Sequence, residues 1–213
     1  MVEINETNFP DKNFRKWLLE QDYGKNGVIT DDDIRTIISI DISRLNIINL
    51  KGIEHFAALT MLDCGSNQLT ALDVSKNTAL KYLWCASNQL MALNVSGCTA
   101  LTTLHCASNQ LTALDVSKNT LLTKLFCGSN QLTTLDISQN TSLIRLFCES
   151  NQLTVLNVSK NTSLTHLSCH SNQLTVLDVF KNMALRYLNC CKNQLTTLDV
   201  SNNTALTEFI LLC

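Results

Sequence analysis

Three residues in the second half of the chain carry side chains that could perform chemistry together. Glu149, His170 and Cys191 follow one another at intervals of 21 residues. A thiol beside an imidazole beside a carboxylate is the set that thiolate chemistry requires, with His170 as the base and Glu149 orienting it. With His166 as a fourth ligand, the same side chains could instead hold a zinc ion. Because nothing in the sequence supplies an oxyanion hole or a walled pocket, we interpret them as ordinary solvated residues and predict no enzyme activity.

A second candidate site is the twelve-residue stretch 22–33, which is similar to the calcium loop of an EF-hand. Asp22 stands first, Asn26 fifth and Asp33 last in this loop. However, Gly24 occupies the third position, where a ligand is expected, and an aspartate replaces the bidentate glutamate of the last position. The sequence therefore favours a helix-loop-helix cap that keeps the shape of the loop without useful calcium affinity.

The interval of 21 residues belongs to a repeat that runs through most of the chain. Seven full copies occupy residues 59–205 and read LxxLxCxxNQLTxLDVSxNTx. Each copy holds two phrases in which apolar and polar residues alternate, and each phrase predicts a short strand with one inward face. One copy cannot bury its apolar side chains alone, so the copies must stack in register. The predicted fold is a right-handed solenoid of short parallel strands, two per turn.

The repeat divides the chain into a cap and a solenoid. We predict a helix-loop-helix cap over 1–36 and a solenoid over 37–213, made of a degenerate first repeat 37–58, the seven full repeats and a truncated last repeat 206–213. In the cap, Phe14, Trp17 and Leu18 mark one face of a helix that begins near Pro10. Thr30, followed three residues later by an aspartate, predicts the capped start of a second helix that reaches Ile37.

Two asparagine columns also follow from the repeat. Their amides can bond backbone groups that the turns leave unpaired. In the second column, which begins at Asn77, Cys98 replaces the asparagine, and Gly97 lies beside it. This departure predicts a local defect in the coil.

The chain contains ten cysteines. Seven of them recur at the repeat interval in an inward column: Cys64, Cys85, Cys106, Cys127, Cys148, Cys169 and Cys190. An odd column of parallel, in-register side chains neither pairs completely nor fits disulfide geometry, so these residues are predicted to be small buried hydrophobes. Cys98, Cys191 and Cys213 lie outside the column and are expected to be exposed. A bridge between Cys191 and Cys213 stays open as an alternative.

The outward positions of the first phrase vary most from copy to copy and carry the predicted ligand site. The candidate ligand-binding residues are Tyr82, Trp84, His105, Lys124, Phe126, Arg145, Phe147, His166 and Tyr187. Large rings on a solvent-facing strand are typical of an interface hot spot or a sugar-stacking platform, so Trp84, Phe126 and Phe147 are the predicted centre. The alternative is that the rings only pack on one another along the sheet.

Composition excludes several classes of function. The 213 residues include 16 Lys and Arg against 18 Asp and Glu, with no basic run, so no nucleic-acid partner is expected. No stretch approaches the roughly 20 apolar residues of a membrane span. Residues 1–7 lack the layout of a signal peptide, which leaves the compartment open. No cofactor is expected.

The repeat resembles the bacterial leucine-rich repeats, in particular the nested 21-residue, IRREKO-like class and secreted repeat proteins of gut bacteria that carry NQLTxLDVSxNTxL. The resemblance covers about residues 37–213. It implies a non-catalytic recognition or adhesion module that binds a protein, peptide or glycan outside the cell or at its surface. The alternative is a scaffold or self-assembling repeat. The apolar edge at 206–213 has no polar closing repeat, so either the natural chain continues there or the edge pairs with another copy.

Overall fold

A small cap precedes the solenoid in the computed structural model, which describes residues 1–211. The cap elements are β1 (Val2–Glu3), α1 (Lys12–Glu20), β2 (Val28–Ile29) and α2 (Asp31–Thr36). β1 pairs with β2 in antiparallel fashion, which closes the loop between the helices against the start of the chain. Thr30 caps α2, and its hydroxyl and the Asp33 carboxylate each accept a backbone N–H of the other residue, as the capping-box pattern predicts.

One buried carboxylate joins the cap to the solenoid. Oδ1 of Asp11 accepts hydrogen bonds from the backbone N–H groups of Asn13 (2.8 Å) and Phe14 (2.9 Å), so it supplies the N-cap of α1. Oδ2 of the same residue accepts the N–H groups of Ile48 (2.8 Å) and Asn49 (3.3 Å) in the first coil. The orientation of α1 is thereby tied to the coil on which it rests.

The solenoid strands lie where the two phrases of the repeat predict them, nine in first phrases and β5 and β7 in second phrases. They are β3 (Ser39–Asp41), β4 (Met61–Asp63), β5 (Ala71–Asp73), β6 (Tyr82–Trp84), β7 (Ala92–Asn94), β8 (Thr103–His105), β9 (Lys124–Phe126), β10 (Arg145–Phe147), β11 (His166–Ser168), β12 (Tyr187–Asn189) and β13 (Glu208–Ile210). Nine of them form one parallel sheet in the order β3-β4-β6-β8-β9-β10-β11-β12-β13. Equivalent residues of successive copies pair directly, as Leu125 does with Leu104 and Leu146. The copies therefore stack in register, and the predicted solenoid is confirmed.

The second phrase of each copy is less regular than the first. It forms a parallel pair only between β5 and β7. In later copies a single backbone bond per turn joins neighbouring second phrases, such as that from Gln131 N–H to the Leu111 carbonyl (2.9 Å). One bond per turn does not make a strand ladder. The described residues thus carry two strands per turn in the first two full copies and one strand per turn afterwards.

The cysteine column lies inside the coil, as predicted. All seven of its members are buried and carry free thiols. Burial raises their pKa values, to about 12 for Cys106 and about 11 for Cys190, so the thiols stay protonated at neutral pH. They fill the core as small hydrophobes and are unreactive there.

The expectation that Cys98 and Cys191 are exposed is wrong. Cys98 and Cys191 are both buried. Cys98 takes the place of an asparagine, and its Sγ contacts the Val74 carbonyl oxygen at 3.1 Å, so it occupies a backbone-bonding position rather than the surface. Cys191 is disulfide-bonded. The other member of the bridge considered from the sequence, Cys213, lies outside the described residues.

The first asparagine column cross-links the coils. Oδ1 of Asn130 accepts the N–H of Leu111 in the preceding coil at 3.0 Å. Its Nδ2 donates to the carbonyl of Cys106 in that coil and of Cys127 in its own coil, both at 3.1 Å. The same donation to the preceding coil recurs at Asn67, Asn88, Asn109, Asn151, Asn172 and Asn193. Each turn of the solenoid is closed by one side chain that satisfies backbone groups of two coils.

The second asparagine column is a simpler ladder. Nδ2 of Asn140 donates to the Val116 and Asn119 carbonyls (3.0 and 2.9 Å), while its buried Oδ1 has no partner among the described residues. The predicted defect lies at the one cysteine in this column. At Gly97 the backbone approaches the preceding coil so closely that a Cβ would lie 1.8 Å from the Ser75 carbonyl oxygen. The cysteine side chain is smaller than the asparagine that it replaces. Beside it, the two coils approach so closely that only glycine fits.

We predict that Asn130→Ala lowers the free energy of unfolding by about 3 kcal/mol. The substitution leaves the buried N–H of Leu111 without a partner at roughly 1–3 kcal/mol, and it removes one of the two amide donors to each of the Cys106 and Cys127 carbonyls, which keep Asn109 and Asn151. Urea unfolding followed by circular dichroism measures the effect. Gln131→Ala is the matched control, since its neighbouring side chain is exposed and should change stability by less than about 0.5 kcal/mol. Equal losses for the two variants would show that the asparagine column does not hold the coils together.

Candidate ligand-binding face

The outward residues of the nine-stranded sheet form one surface, which we call the first-strand face. In the strands β4, β6 and β8 to β12 the central leucine is buried, and the residues before and after it point to the opposite side of the sheet. All nine candidate residues lie on this face. Tyr82, Lys124 and Arg145 are exposed, whereas Trp84, His105, Phe126, Phe147, His166 and Tyr187 are half-buried.

The rings on the first-strand face contact one another from coil to coil. The Phe126 and Phe147 rings stack with centroids 5.2 Å apart and an interplanar angle of 22°. His105 lies 5.2 Å from Phe126, and Tyr187 lies 6.4 Å from Phe147, which extends the series at both ends. The ring packing considered from the sequence is therefore present. It leaves the outer parts of the rings accessible and holds them in fixed orientations, which reduces the entropy that a ligand would have to remove on binding.

Two histidines on this face have pKa values below that of free histidine. Partial burial lowers the pKa of His105, and the nearby carboxylates of Asp63 and Glu149 only partly oppose the shift. For His166, burial and then the positive charges of Arg145 and Arg186 lower the pKa. Both imidazoles are therefore neutral at pH 7, and the permanent positive charge of the face comes from its lysine and arginines.

An unpredicted groove crosses the amino-terminal part of this face. The groove is open to solvent and has a volume of about 480 Å³, with Trp84 and His105 on one side and Gly65 and Ala86 at its floor. The floor residues occupy the seventh position of the repeat, where the first four full copies hold only glycine or alanine. That run of small residues was the signal in the sequence.

The catalytic or zinc-binding set that was considered from the sequence and set aside there is not available as such. The coils do place the three seventh positions side by side, since Ser150 N–H bonds the His170 carbonyl at 2.9 Å and Ser171 N–H bonds the Cys191 carbonyl at 3.0 Å. Because Cys191 is disulfide-bonded, it supplies no thiolate for catalysis or for zinc. In residues 1–211 no three His, Cys, Asp or Glu side chains are grouped to hold a metal ion.

The carboxylates of the loop 22–33 are engaged by neighbours. Asp22 is paired with Lys25, which lowers the pKa of its carboxyl group. Asp33 accepts hydrogen bonds from the hydroxyl and N–H of Thr30 at the start of α2, and these bonds lower its pKa as well. Asn26 is exposed. Both aspartates considered for calcium are thus engaged in contacts within the cap, and Asp33 has a capping role.

Parallel coils in register, closed by an asparagine ladder and fronted by a variable strand face, define a leucine-rich-repeat solenoid. The family model described as the Endo-beta-N-acetylglucosaminidase EndoS LRR domain matches residues 9–140, more than half of the chain. The chain belongs to this leucine-rich-repeat family, which is a non-enzymatic repeat class. The matched residues comprise part of the cap and the first coils. A separate short match, to the LVIVD repeat, covers residues 187–210.

The chain is also similar to internalins and to other bacterial repeat proteins. It is 43% identical over 71 residues to Internalin J of Listeria monocytogenes serotype 4b (strain F2365), a match that spans only 8% of that protein. The solved functional domain of InlJ from Listeria monocytogenes, described as including a cysteine ladder, is 35% identical with a TM-score of 0.55, covering 98% of this chain and 56% of that one. A leucine-rich-repeat protein of Leptospira interrogans is 27% identical with a TM-score of 0.72, covering 78% of this chain and 46% of that one.

The fold likeness extends over the whole chain in one further case. Internalin C2 of Listeria monocytogenes superposes with a TM-score of 0.86 at 21% identity, covering 100% of this chain and 97% of that one. At this identity the likeness shows the fold alone. Together the comparisons indicate a protein-interaction or adhesion module. Among the described residues, no helix has the length and apolar character needed to cross a membrane.

We predict that the melting temperature falls when the pH is lowered from 7 to 5. In the folded state the pKa values of His105 and His166 lie below the ordinary histidine value of about 6.5. Between pH 7 and pH 5 the unfolded state therefore binds more protons than the folded state, so the free energy of unfolding decreases as the pH falls. The double variant His105→Gln, His166→Gln should show a shallower slope in calorimetry across the same pH series. The Asp carboxyls with lowered pKa titrate below this window. An unchanged slope would contradict the burial of these imidazoles.

Proposed function

We propose that the chain is a non-catalytic recognition or adhesion module that binds its ligand on the first-strand face, at the cell surface or outside the cell. The ligand is a protein, peptide or glycan. The proposal follows from the family to which the chain belongs and from the interaction role that its internalin-like relatives suggest.

The observation that carries the proposal is the position of the rings. Trp84, Phe126 and Phe147 occupy the fifth position of their repeats. Two later repeats hold Ser168 and Asn189 at this position. The fold therefore accepts small polar residues there, and burial of the core does not require aromatic ones. Apolar rings kept in contact with solvent are typical of interaction surfaces, and their mutual stacking makes the surface rigid.

Positively charged side chains beside the rings also support the proposal that the first-strand face binds the ligand. Lys124 and Arg145 are exposed and precede Phe126 and Phe147 in their strands, so each ring has a cation on its own coil. Aromatic and arginine side chains are the residue types that contribute most to binding hot spots. A ligand with both apolar and anionic groups would complement this arrangement.

We predict that the triple variant Trp84→Ala, Phe126→Ala, Phe147→Ala loses capture of the ligand from host-surface and bacterial-surface extracts. Each ring at a hot spot contributes about 1 kcal/mol or more, so the loss should exceed one hundredfold in affinity for the captured molecule. The matched control is Met91→Ala, Val155→Ala, Val176→Ala, which removes three exposed apolar side chains from the second phrases. Retention of the same partner by the first-strand variant, or its loss from the control alone, would contradict the proposal.

A second candidate function rests on the carboxyl-terminal coil. Among the described residues β13 pairs only with β12, and Phe209 and Leu211 are exposed by 41% and 36%. An apolar strand edge favours pairing with another copy, which would make the protein a self-assembling scaffold through 206–213. Residue 212, part of that edge, lies outside the described residues.

Light scattering separates the two functions. A scaffold should form assemblies that survive the triple variant of the first-strand face and disappear in Phe209→Glu, Leu211→Glu, because paired like charges at the edge oppose strand pairing. A recognition module should be monomeric in wild type and in both variants. Assembly that depends on the rings of the first-strand face would contradict the scaffold.

A further inference from the structure

The groove on the first-strand face is short, and the residues at the seventh position of the repeat explain its length. Its floor is open because Gly65 and Ala86 have little or no side chain. A Cβ at Gly65 would lie 3.2 Å from Oδ1 of Asp63, so even a small side chain would press on the groove wall. Further along, Glu149 leans over Gly128, where a Cβ would lie 2.6 Å from the glutamate Oε1. The open floor is thus confined to the amino-terminal coils.

One wall of the groove is aromatic. Tyr82 stacks on the indole of Trp84 with ring centroids 6.0 Å apart and an interplanar angle of 14°. Trp84 stands between this tyrosine and the groove residues Ala86 and Ser87, which follow it in the chain. The indole is therefore a fixed plate beside the groove. Asp63 and His105 flank it on the neighbouring coils through direct strand pairing.

The opposite wall is polar, and its side chains have no partners among the described residues. It consists of Arg44, Ser66 and Ser87, which occupy the same turn position in three consecutive coils with φ values of 59°, 53° and 55°. All three side chains are exposed, and none forms a hydrogen bond or ion pair with another described residue. The left-handed turn fixes their backbone, so the two hydroxyls and the guanidinium are held at the groove without an internal role.

The aromatic wall also carries unused polar groups. Oδ1 of Asp63 accepts the N–H of Gly65 at 2.9 Å, which fixes the carboxylate and leaves Oδ2 as an acceptor. The lowered pKa of His105 keeps its ring neutral, so it offers one donor and one acceptor. The Trp84 indole N–H is a further donor without a partner in the described residues.

From this combination we infer that the groove binds a single neutral sugar ring of a glycan. An aromatic plate suits the apolar face of a sugar ring, and a close mixture of donors and acceptors suits its hydroxyl groups. Asp63 and Arg44 have opposite charges, which favours a neutral ligand over an anion. A peptide that adds as a strand would need a free sheet edge, whereas β4, β6 and β8, which carry Asp63, Trp84 and His105, are each paired on both sides. The inference rests on the proposed function and names a ligand class for part of the same face.

The test uses Trp84 as a reporter. The chain has two tryptophans, so Trp17→Phe leaves Trp84 as the sole source of indole fluorescence. This protein is titrated with maltotriose, cellotriose, chitotriose and mannotriose, and with 3′-sialyllactose as an acidic probe. We expect a saturable change with at least one neutral trisaccharide at a dissociation constant of about 1 mM or tighter. No saturable change with any neutral probe, or saturation by sialyllactose alone, would overturn the inference.

Matched variants show whether the signal comes from the groove. In the same background, Ser66→Ala, Ser87→Ala and, separately, Gly65→Gln should weaken sugar binding at least tenfold. Ser129→Ala, Ser150→Ala changes the same turn position in coils beyond the groove and should leave binding unchanged. Circular dichroism of every variant verifies the fold. Equal affinities for the groove and control variants would overturn the inference.

The proposed function can fail or succeed independently of this result. Phe147 lies outside the groove, so Phe147→Ala should leave trisaccharide binding unchanged while weakening capture of the macromolecular ligand. Capture that depends on Phe126 and Phe147, together with no neutral sugar binding, would keep the recognition module and remove the sugar site. Trisaccharide binding without any captured macromolecule would keep the sugar site and remove the recognition module.

Discussion

The structure depends on the hydrogen bonds of the first asparagine column. Each of these side chains bonds backbone groups of its own coil and of the coil before it, as Asn130 does with Leu111, Cys106 and Cys127. These bonds fix the turn that follows each first strand and keep successive coils in register. Because register places equivalent residues side by side, both the first-strand face and the groove are consequences of this ladder.

Much of the fold could be predicted because the repeat supplies the long-range information that an ordinary sequence lacks. Once the interval is known, neighbours in space are residues 21 apart, as Phe126 and Phe147 are. The buried cysteine column and the capping box at Thr30 follow from such patterns and local rules. The absence of second-phrase strands in the later copies could not be predicted. Apolar and polar residues still alternate there, although no strand ladder forms.

The errors arose where a residue type was judged apart from its column. Cys98 was expected at the surface, yet it stands in an asparagine column that points inward and makes weak contacts to the same carbonyls that the amide would reach. The groove was missed for a related reason. The glycine and alanine residues of its floor can be seen in the sequence. The length of the groove depends on the position of the Glu149 side chain over Gly128, which the pattern of residue types does not specify.

The position of the groove gives the cap a part in the proposed site. Arg44 belongs to the degenerate first repeat, and that coil is held from one side by Asn67, whose Oδ1 accepts the N–H groups of Leu45 and Ile47 at 3.0 Å. From the other side, the buried Asp11 carboxylate accepts the N–H groups that follow. In a solenoid each coil contacts only its neighbours, so the first coil has no preceding repeat to order it. The cap takes the place of that repeat, and it thereby holds the coil that carries Arg44, the first residue of the polar wall.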